Sequence, residues 1–179
     1  MPRIRTARYH ELGMLASVEQ SAASLFRDVG LAWLADGETM DTADLISMCR
    51  AGTLWVAANE ADEPVGFLAG HQLDSLFYIA EVSVARSSQR QGIGAALVET
   101  GVEFARTQGF SAVTLTTYRD LPWNAPFYSQ LGFVEIDPAE AGSGHVARLN
   151  AEAKAGHDLD RRCVMIKSLR SSRCSPLCP

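Results

Sequence analysis

The stretch Tyr78-Ile-Ala-Glu-Val-Ser-Val-Ala-Arg-Ser-Ser-Gln-Arg-Gln-Gly-Ile-Gly-Ala-Ala-Leu-Val-Glu-Thr-Gly101 changes its pattern twice. Its first third is apolar and β-branched, as a strand requires. Its middle is polar and carries Gly92 and Gly94. Its last third places Ile93, Ala96, Leu97 and Phe104 at helical spacing. The pattern predicts strand, tight glycine turn, helix. A helix that opens on such a turn points unpaired backbone amides at one spot, with the positive end of its dipole behind them. That is a seat for a phosphate group.

One phosphate ligand with a known fingerprint is a dinucleotide, read as Gly-x-Gly-x-x-Gly with an acidic residue about 20 positions on. Gly92 and Gly94 fit it, but Leu97 stands at the third glycine position. The run Gln89-Arg90-Gln91-Gly92-Ile93-Gly94 instead resembles the Gln/Arg-x-x-Gly-x-Gly/Ala signature of the GNAT superfamily of N-acyltransferases. Further on, Asn124-Ala-Pro-Phe-Tyr-Ser-Gln-Leu-Gly-Phe133 resembles that family's Asn-x-x-x-Phe-Tyr-x-x-x-Gly-Phe segment. The separation suits one more helix and strand. Element order resembles the family from about Arg3 to Leu169, while residue-by-residue similarity is confined to these two segments.

Composition limits the alternatives. The chain has 179 residues, enough for one domain with a real core, and 47% apolar against 21% charged residues is the balance of a globular protein. A formal charge of -5 argues against a nucleic-acid partner, which calls for a basic stripe. No apolar run is long enough to span a bilayer and no signal-like segment opens the chain, so no membrane and a cytoplasmic location are expected. Of the four cysteines, Cys174 and Cys178 are spaced like half of a metal site, but no second half accompanies them. No metal is expected.

The remaining elements follow in order. Arg3–Arg8 alternates like a strand, and His10–Phe26 reads as a helix with Leu12, Leu15, Val18, Ala22 and Leu25 on one face. Val29–Met40 reads as a loop with room for a short turn of helix, Asp41–Arg50 as a short helix capped by Asp41 or Thr42, and Thr53–Ala58 with Val65–Leu73 as a hairpin. Strands are expected at Leu76–Val84, Ser111–Thr117, Phe133–Ile136 and Arg162–Lys167, and helices from Gly92 to about Gln108 and over Trp123–Gln130. Ser111–Thr117, reached through a helix, should lie parallel to the strand before the glycine turn. Pro138–Ala155 shows no firm element beyond a helix over Ala147–Ala155. The fold class is α/β, or mixed α+β, with a mixed central sheet and helices on both faces. One domain is expected over residues 1–169, followed by a frayed tail over 170–179.

The resemblance implies the GNAT fold and transfer of the acetyl group of acetyl-CoA to a primary amine. A small-molecule amine or amino acid is favoured over a peptide amine as acceptor. It places the pyrophosphate on Gln89, Arg90, Gln91, Gly92, Gly94 and Ala95. The pantetheine arm falls to the main chain of Val82 and Val84, added like another strand, and to Asn124. It makes Tyr128 the proton donor to the departing thiolate, a task within reach of a phenol of pKa about 10. Glu81 becomes the candidate base, although a glutamate with an ordinary pKa of about 4.3 would need burial to serve. His71 and water stay open as alternatives. So do plainer readings: Asn124 as a helix cap, Tyr128 as a core aromatic, and Glu81 as a structural side chain. The acids Asp28, Asp36, Glu38 and Asp41 form either a rim suited to a cationic amine or a solvated loop. A homodimer is left open, and a non-catalytic acyl-CoA-binding module is the alternative from a different functional class.

Overall fold

The computed structural model describes residues 2–169. The strands are β1 (Arg3–Thr6), β2 (Leu54–Ala58), β3 (Pro64–Leu73), β4 (Leu76–Val84), β5 (Ala112–Tyr118), β6 (Val134–Ile136) and β7 (Arg162–Ser168). The helices are α1 (Leu12–Ala23), α2 (Ala32–Ala35), α3 (Thr42–Ala51), α4 (Ile93–Thr107), α5 (Ala125–Gln130), α6 (Pro138–Ala141) and α7 (Ser143–Lys154). The sheet is mixed, in the order β1-β2-β3-β4-β5-β7-β6. Among the described residues no helix is long and apolar enough to cross a membrane.

The chain packs as two compact units. One takes the chain through His71 together with Ile79–Glu103, and the other takes Gln72–Tyr78 and the chain from Phe104 on. Residues 170–179, expected to form a tail, lie outside the described residues.

In the first unit, β1, β2 and β3 pair antiparallel, with Ile4 opposite Ala57 and Val56 opposite Phe67. Every residue of β2 is buried, which is why Leu54–Ala58 reads as an unbroken apolar run. Leu12, Leu15 and Val18 of α1 pack with Leu45 and Met48 of α3 against Leu54, Val56, Phe67 and Ala69. Helix α3 is capped as expected, with Asp41 accepting from the Ala43 amide at 2.6 Å. The long helix expected over His10–Phe26 is shorter. A 3-10 turn at Tyr9–Glu11 precedes α1, and a second at Ser24–Val29 follows it. Gly66 permits close packing of α4 on this part of the sheet. A Cβ there would lie 3.0 Å from the Ser83 carbonyl oxygen and 3.4 Å from Leu97 Cδ1.

In the second unit, Phe77 and Tyr78 pair parallel with Val113 and Thr114, as the crossover helix requires. Strand β5 pairs antiparallel with β7 from Ala112–Ser168 to Tyr118–Arg162, and β6 adds to β7 on its other side. Leu76, Ala112, Ala141 and Val164 form a core cluster.

Helices α6 and α7 correct the reading of Pro138–Ala155 as largely unassigned. Asp137 caps α6, accepting from the Ala139 amide at 2.8 Å, with Pro138 in the first turn where its missing N–H costs nothing. The start of α7 is held from a distance. Asp74, in the turn before β4, accepts from the Gly144 amide at 3.1 Å and meets His145 Nδ1 at 2.9 Å. His145 is fully buried, and its Nε2 lies 2.8 Å from Thr114 Oγ1. A Cβ on Gly142 would lie 2.4 Å from Asp74 Oδ2, so no other residue fits there without a shift.

The His145 hydrogen bond, with the Gly144 amide, holds the Asp74 carboxyl below the usual aspartate range and outweighs desolvation. A depressed carboxyl adds stability at neutral pH that is lost as pH falls through its folded-state pKa. Asp74→Ala should therefore lower the thermal midpoint at pH 7, and the deficit should narrow at pH values below about 4. Melting curves followed by circular dichroism at the two pH values check this.

Candidate active site

The turn after β4 is built from two left-handed residues. A 3-10 segment, Arg86–Ser88, leads out of the strand, and Arg90 and Gly92 take φ of 61° and 79° before α4 begins. A non-glycine residue held there costs about 1–3 kcal/mol, so its surroundings must impose the conformation. They do so from both ends. Gln89 Nε2 donates to the Val84 carbonyl oxygen at 2.9 Å. The Arg86 amide donates to Ser21 Oγ at 3.0 Å, and the Arg86 guanidinium reaches Ser24 Oγ at 3.3 Å and Asp28 Oδ2 at 2.7 Å. The Ala96 amide donates to the Gly92 carbonyl at 3.0 Å. Amides preceding that first i→i−4 bond have no helical carbonyl to reach. Arg90, Gln91 and Gly92 are exposed, while Gly94 and Ala95 are half-buried. A turn of this kind, with left-handed residues beside right-handed ones, forms an anion-binding concavity.

Two half-buried carboxylates, Glu81 and Glu19, belong to the same unit as the turn. Glu81, on β4, is half-buried, and its Oε1 accepts from Ser83 Oγ at 2.7 Å. Val82 and Val84 are half-buried on the same strand. Glu19, on α1, is also half-buried, and its Oε2 accepts from the Met40 amide at 2.9 Å. Burial first, and the charge of Glu81 second, push the Glu19 carboxyl up to about 7. His71 is half-buried on β3.

In the other unit, Asn124 and Tyr128 flank the start of α5. The Asn124 carbonyl accepts the Tyr128 amide at 3.0 Å, as the first helical bond. The Asn124 side chain caps no amide, so the capping reading fails. Instead its Nδ2 meets Thr117 Oγ1 at 2.8 Å, while its Oδ1 is buried without a partner among the described residues. Flipping the amide would leave the NH2 end orphaned instead, because the threonine hydroxyl can donate as well as accept. Tyr128 is buried, with its ring edge-on to Phe127 at 5.1 Å and to Phe133 at 5.8 Å.

A sequence model of the acetyltransferase (GNAT) family matches residues 20–133. The chain belongs to that family. A mycothiol acetyltransferase of Renibacterium salmoninarum is 29% identical over 168 residues, covering 75% of this chain and 49% of that protein. The peptidyl-lysine N-acetyltransferase YjaB of Salmonella typhimurium is 29% identical over 136 residues, covering 74% of this chain and 83% of that protein. The chain thus spans about half the length of the first relative and most of the second. A crystal structure of a GNAT acetyltransferase from Staphylococcus aureus superposes with a TM-score of 0.71 at 18% identity, covering 95% of this chain and 100% of that one. At that identity the likeness is one of fold, and it agrees with the mixed sheet and helices described above.

Within this GNAT chain, Glu19 is the residue that sequence reasoning passed over. It follows Leu12 and Leu15 and precedes Ala22 at steps of three and four, the spacing of a core-facing stripe. An acid at such a position was the available signal. A carboxyl whose pKa is raised by folding binds its proton more tightly in the native state, so stability falls as pH rises from about 4.5 to about 7. Glu19→Gln should match the wild type in thermal midpoint near pH 4.5 and exceed it at pH 8. Paired melting curves across that range test the sign.

Proposed function

We propose that this chain transfers the acetyl group of acetyl-CoA to a primary amine. The observation that carries the reading is the turn at the head of α4, where Arg90 and Gly92 are left-handed and the following amides lack helical partners. Membership of the acetyltransferase (GNAT) family supports it. So do the coenzyme A complexes of an N-acetylglutamate synthase from Neisseria gonorrhoeae and an N-acetyltransferase from Thermoplasma acidophilum, both of similar fold.

In this reading the amides from Gln91 to Ala95 hold the pyrophosphate, and Arg90 adds charge from the surface. Gln89, whose side chain is spent on Val84, fastens the turn and offers only its main chain to the ligand. The main chain of Val82 and Val84 aligns the pantetheine arm. The orphaned polar end of Asn124 bonds the same arm. Glu81 takes the proton that the acceptor ammonium must lose. The freed amine lone pair forms a bond to the thioester carbonyl carbon, the nitrogen gives up its second proton to water, and the C–S bond breaks with its electrons on sulfur. Tyr128 then protonates the thiolate.

The acceptor is a small-molecule amine or amino acid in preference to a peptide amine. Kinship does not choose it, since one relative is a mycothiol and another a peptidyl-lysine acetyltransferase.

Calorimetry with coenzyme A tests the seat. The wild type should bind, and Gly92→Val should weaken binding by about 10-fold or more, the worth of one charge-assisted hydrogen bond. Thiol release from acetyl-CoA over a panel of amines tests the reaction. Binding without release from any amine would favour a non-catalytic acyl-CoA-binding module. With an active amine in hand, Tyr128→Phe should lower kcat by about 10²-fold while KM changes little. Unchanged kcat removes Tyr128 from the mechanism.

A further inference from the structure

We infer that Arg86 is a positioning residue for coenzyme binding: it ties the turn at the head of α4 to the Ser24–Val29 segment, so that coenzyme A orders that segment and the segment in return strengthens the hold on coenzyme A. The inference rests on that part of the reading above which seats coenzyme A at the turn, and it adds a residue and a coupled segment.

Arg86 is bonded on both sides. Just before it, the Ala85 amide donates to the Val65 carbonyl at 2.8 Å and fixes the chain on β3. Just after it, the Arg86 carbonyl accepts from the Gln89 amide at 3.4 Å. Gln89 precedes Arg90, whose left-handed backbone helps to aim the amides of α4. A shift of Arg86 is thereby passed to the turn.

On the other side, Arg86 reaches three residues of one stretch. Its amide donates to Ser21 Oγ at 3.0 Å, its Nη1 to Ser24 Oγ at 3.3 Å and its Nη2 to Asp28 Oδ2 at 2.7 Å. Ser24 Oγ donates its own hydrogen to the Ser21 carbonyl at 2.7 Å, which leaves a lone pair to face the guanidinium. The planar fork of an arginine suits two acceptors at once, whereas a lysine presents one point charge.

The segment that Arg86 holds has little buried surface to order it. It is a 3-10 run of six residues, none of them buried, and that geometry rarely sustains more than three or four. Leu25 and Phe26 are half-buried, and Val29 is exposed. Arg27 pairs with Asp36 further along the same stretch. Segments with few buried apolar contacts open at low free energy. Polar ties to a fixed neighbour then weigh heavily in how often this one is closed.

Coupling follows from linkage. Coenzyme A on the turn favours the conformation that sets Arg86 in place, and Arg86 in place favours the ordered segment. The factor that the ligand lends to the segment is the factor that the segment lends to the ligand. The Arg86–Asp28 pair is exposed, so the factor is modest and falls with salt.

Hydrogen exchange and calorimetry on the full chain decide it, with coenzyme A as the probe. The Gly30 and Leu31 amides close the segment on the carbonyls of Arg27 and Phe26. In the wild type, saturating coenzyme A should slow their exchange by about 3-fold. The slowing should be reduced in Asp28→Asn and lost in Arg86→Gln. At low salt Asp28→Asn should bind coenzyme A about 3-fold more weakly, the scale of one exposed ion pair. That deficit should close in about 1 M salt, and Asp28→Glu, which keeps the charge, should recover part of it. Added to Arg86→Gln, Asp28→Asn should cost nothing further.

Exchange at Gly30 and Leu31 that ignores coenzyme A, or Asp28→Asn binding as tight as the wild type at low salt, overturns the coupling and leaves the coenzyme seat standing. An Asp28→Asn deficit that persists in full alongside Arg86→Gln overturns the assignment to Arg86. A wild type that binds no coenzyme A overturns the seat and the coupling together.

Discussion

The first amides of an α-helix have no carbonyls of their own to reach, and everything proposed for this chain depends on where those of α4 are aimed. The aim is set by backbone conformation at two positions, Arg90 and Gly92. Glycine accepts a left-handed φ readily, whereas arginine does not. The Arg90 conformation is therefore imposed by its surroundings: Gln89 tied back to the end of β4, and Arg86 tied to Ser21, Ser24 and Asp28. Backbone strain of this kind persists only where the surroundings over-determine it.

The same balance of local cost against shape recurs in each unit. Glu19 is a half-buried carboxyl on the apolar-spaced face of α1, and its burial raises its proton affinity. In the second unit, Asp74 fills the start of α7 and meets a buried histidine, and Gly142 and Gly144 keep the room for it. The two acids differ in their partners. Asp74 has amide and imidazole donors and is held ionised. Glu19 has one amide and a like charge, and its proton is held. Hydrogen-bond donors around the one and burial around the other set the two acids apart.

Much of this was legible because it is local. The period change around Gly92, the Asp41 cap of α3, the apolar run of β2 and the crossover that makes β5 parallel to β4 all follow from short-range rules. The two motifs, Gln89–Gly94 and Asn124–Phe133, carry the family resemblance within short stretches of chain. Tyr128 and Asn124 were found as residues of a motif. That the Asn124 side chain turns to Thr117 and not to a helix amide could not be read from the string, since both uses suit an asparagine before a helix.

The sequence by itself determined the order of the elements, the glycine turn and the family, because helix and strand periods and turn chemistry act over a few residues. Only the tertiary structure decided that Gln89 fastens the turn with its side chain, that α7 starts where Asp74 meets it from 70 residues away, and that Glu19 accepts from the Met40 amide. Each of those outcomes depends on groups distant in the chain becoming neighbours. A carboxyl's proton affinity is a property of the neighbours it acquires and the water it loses, neither of which is written in the residues beside it.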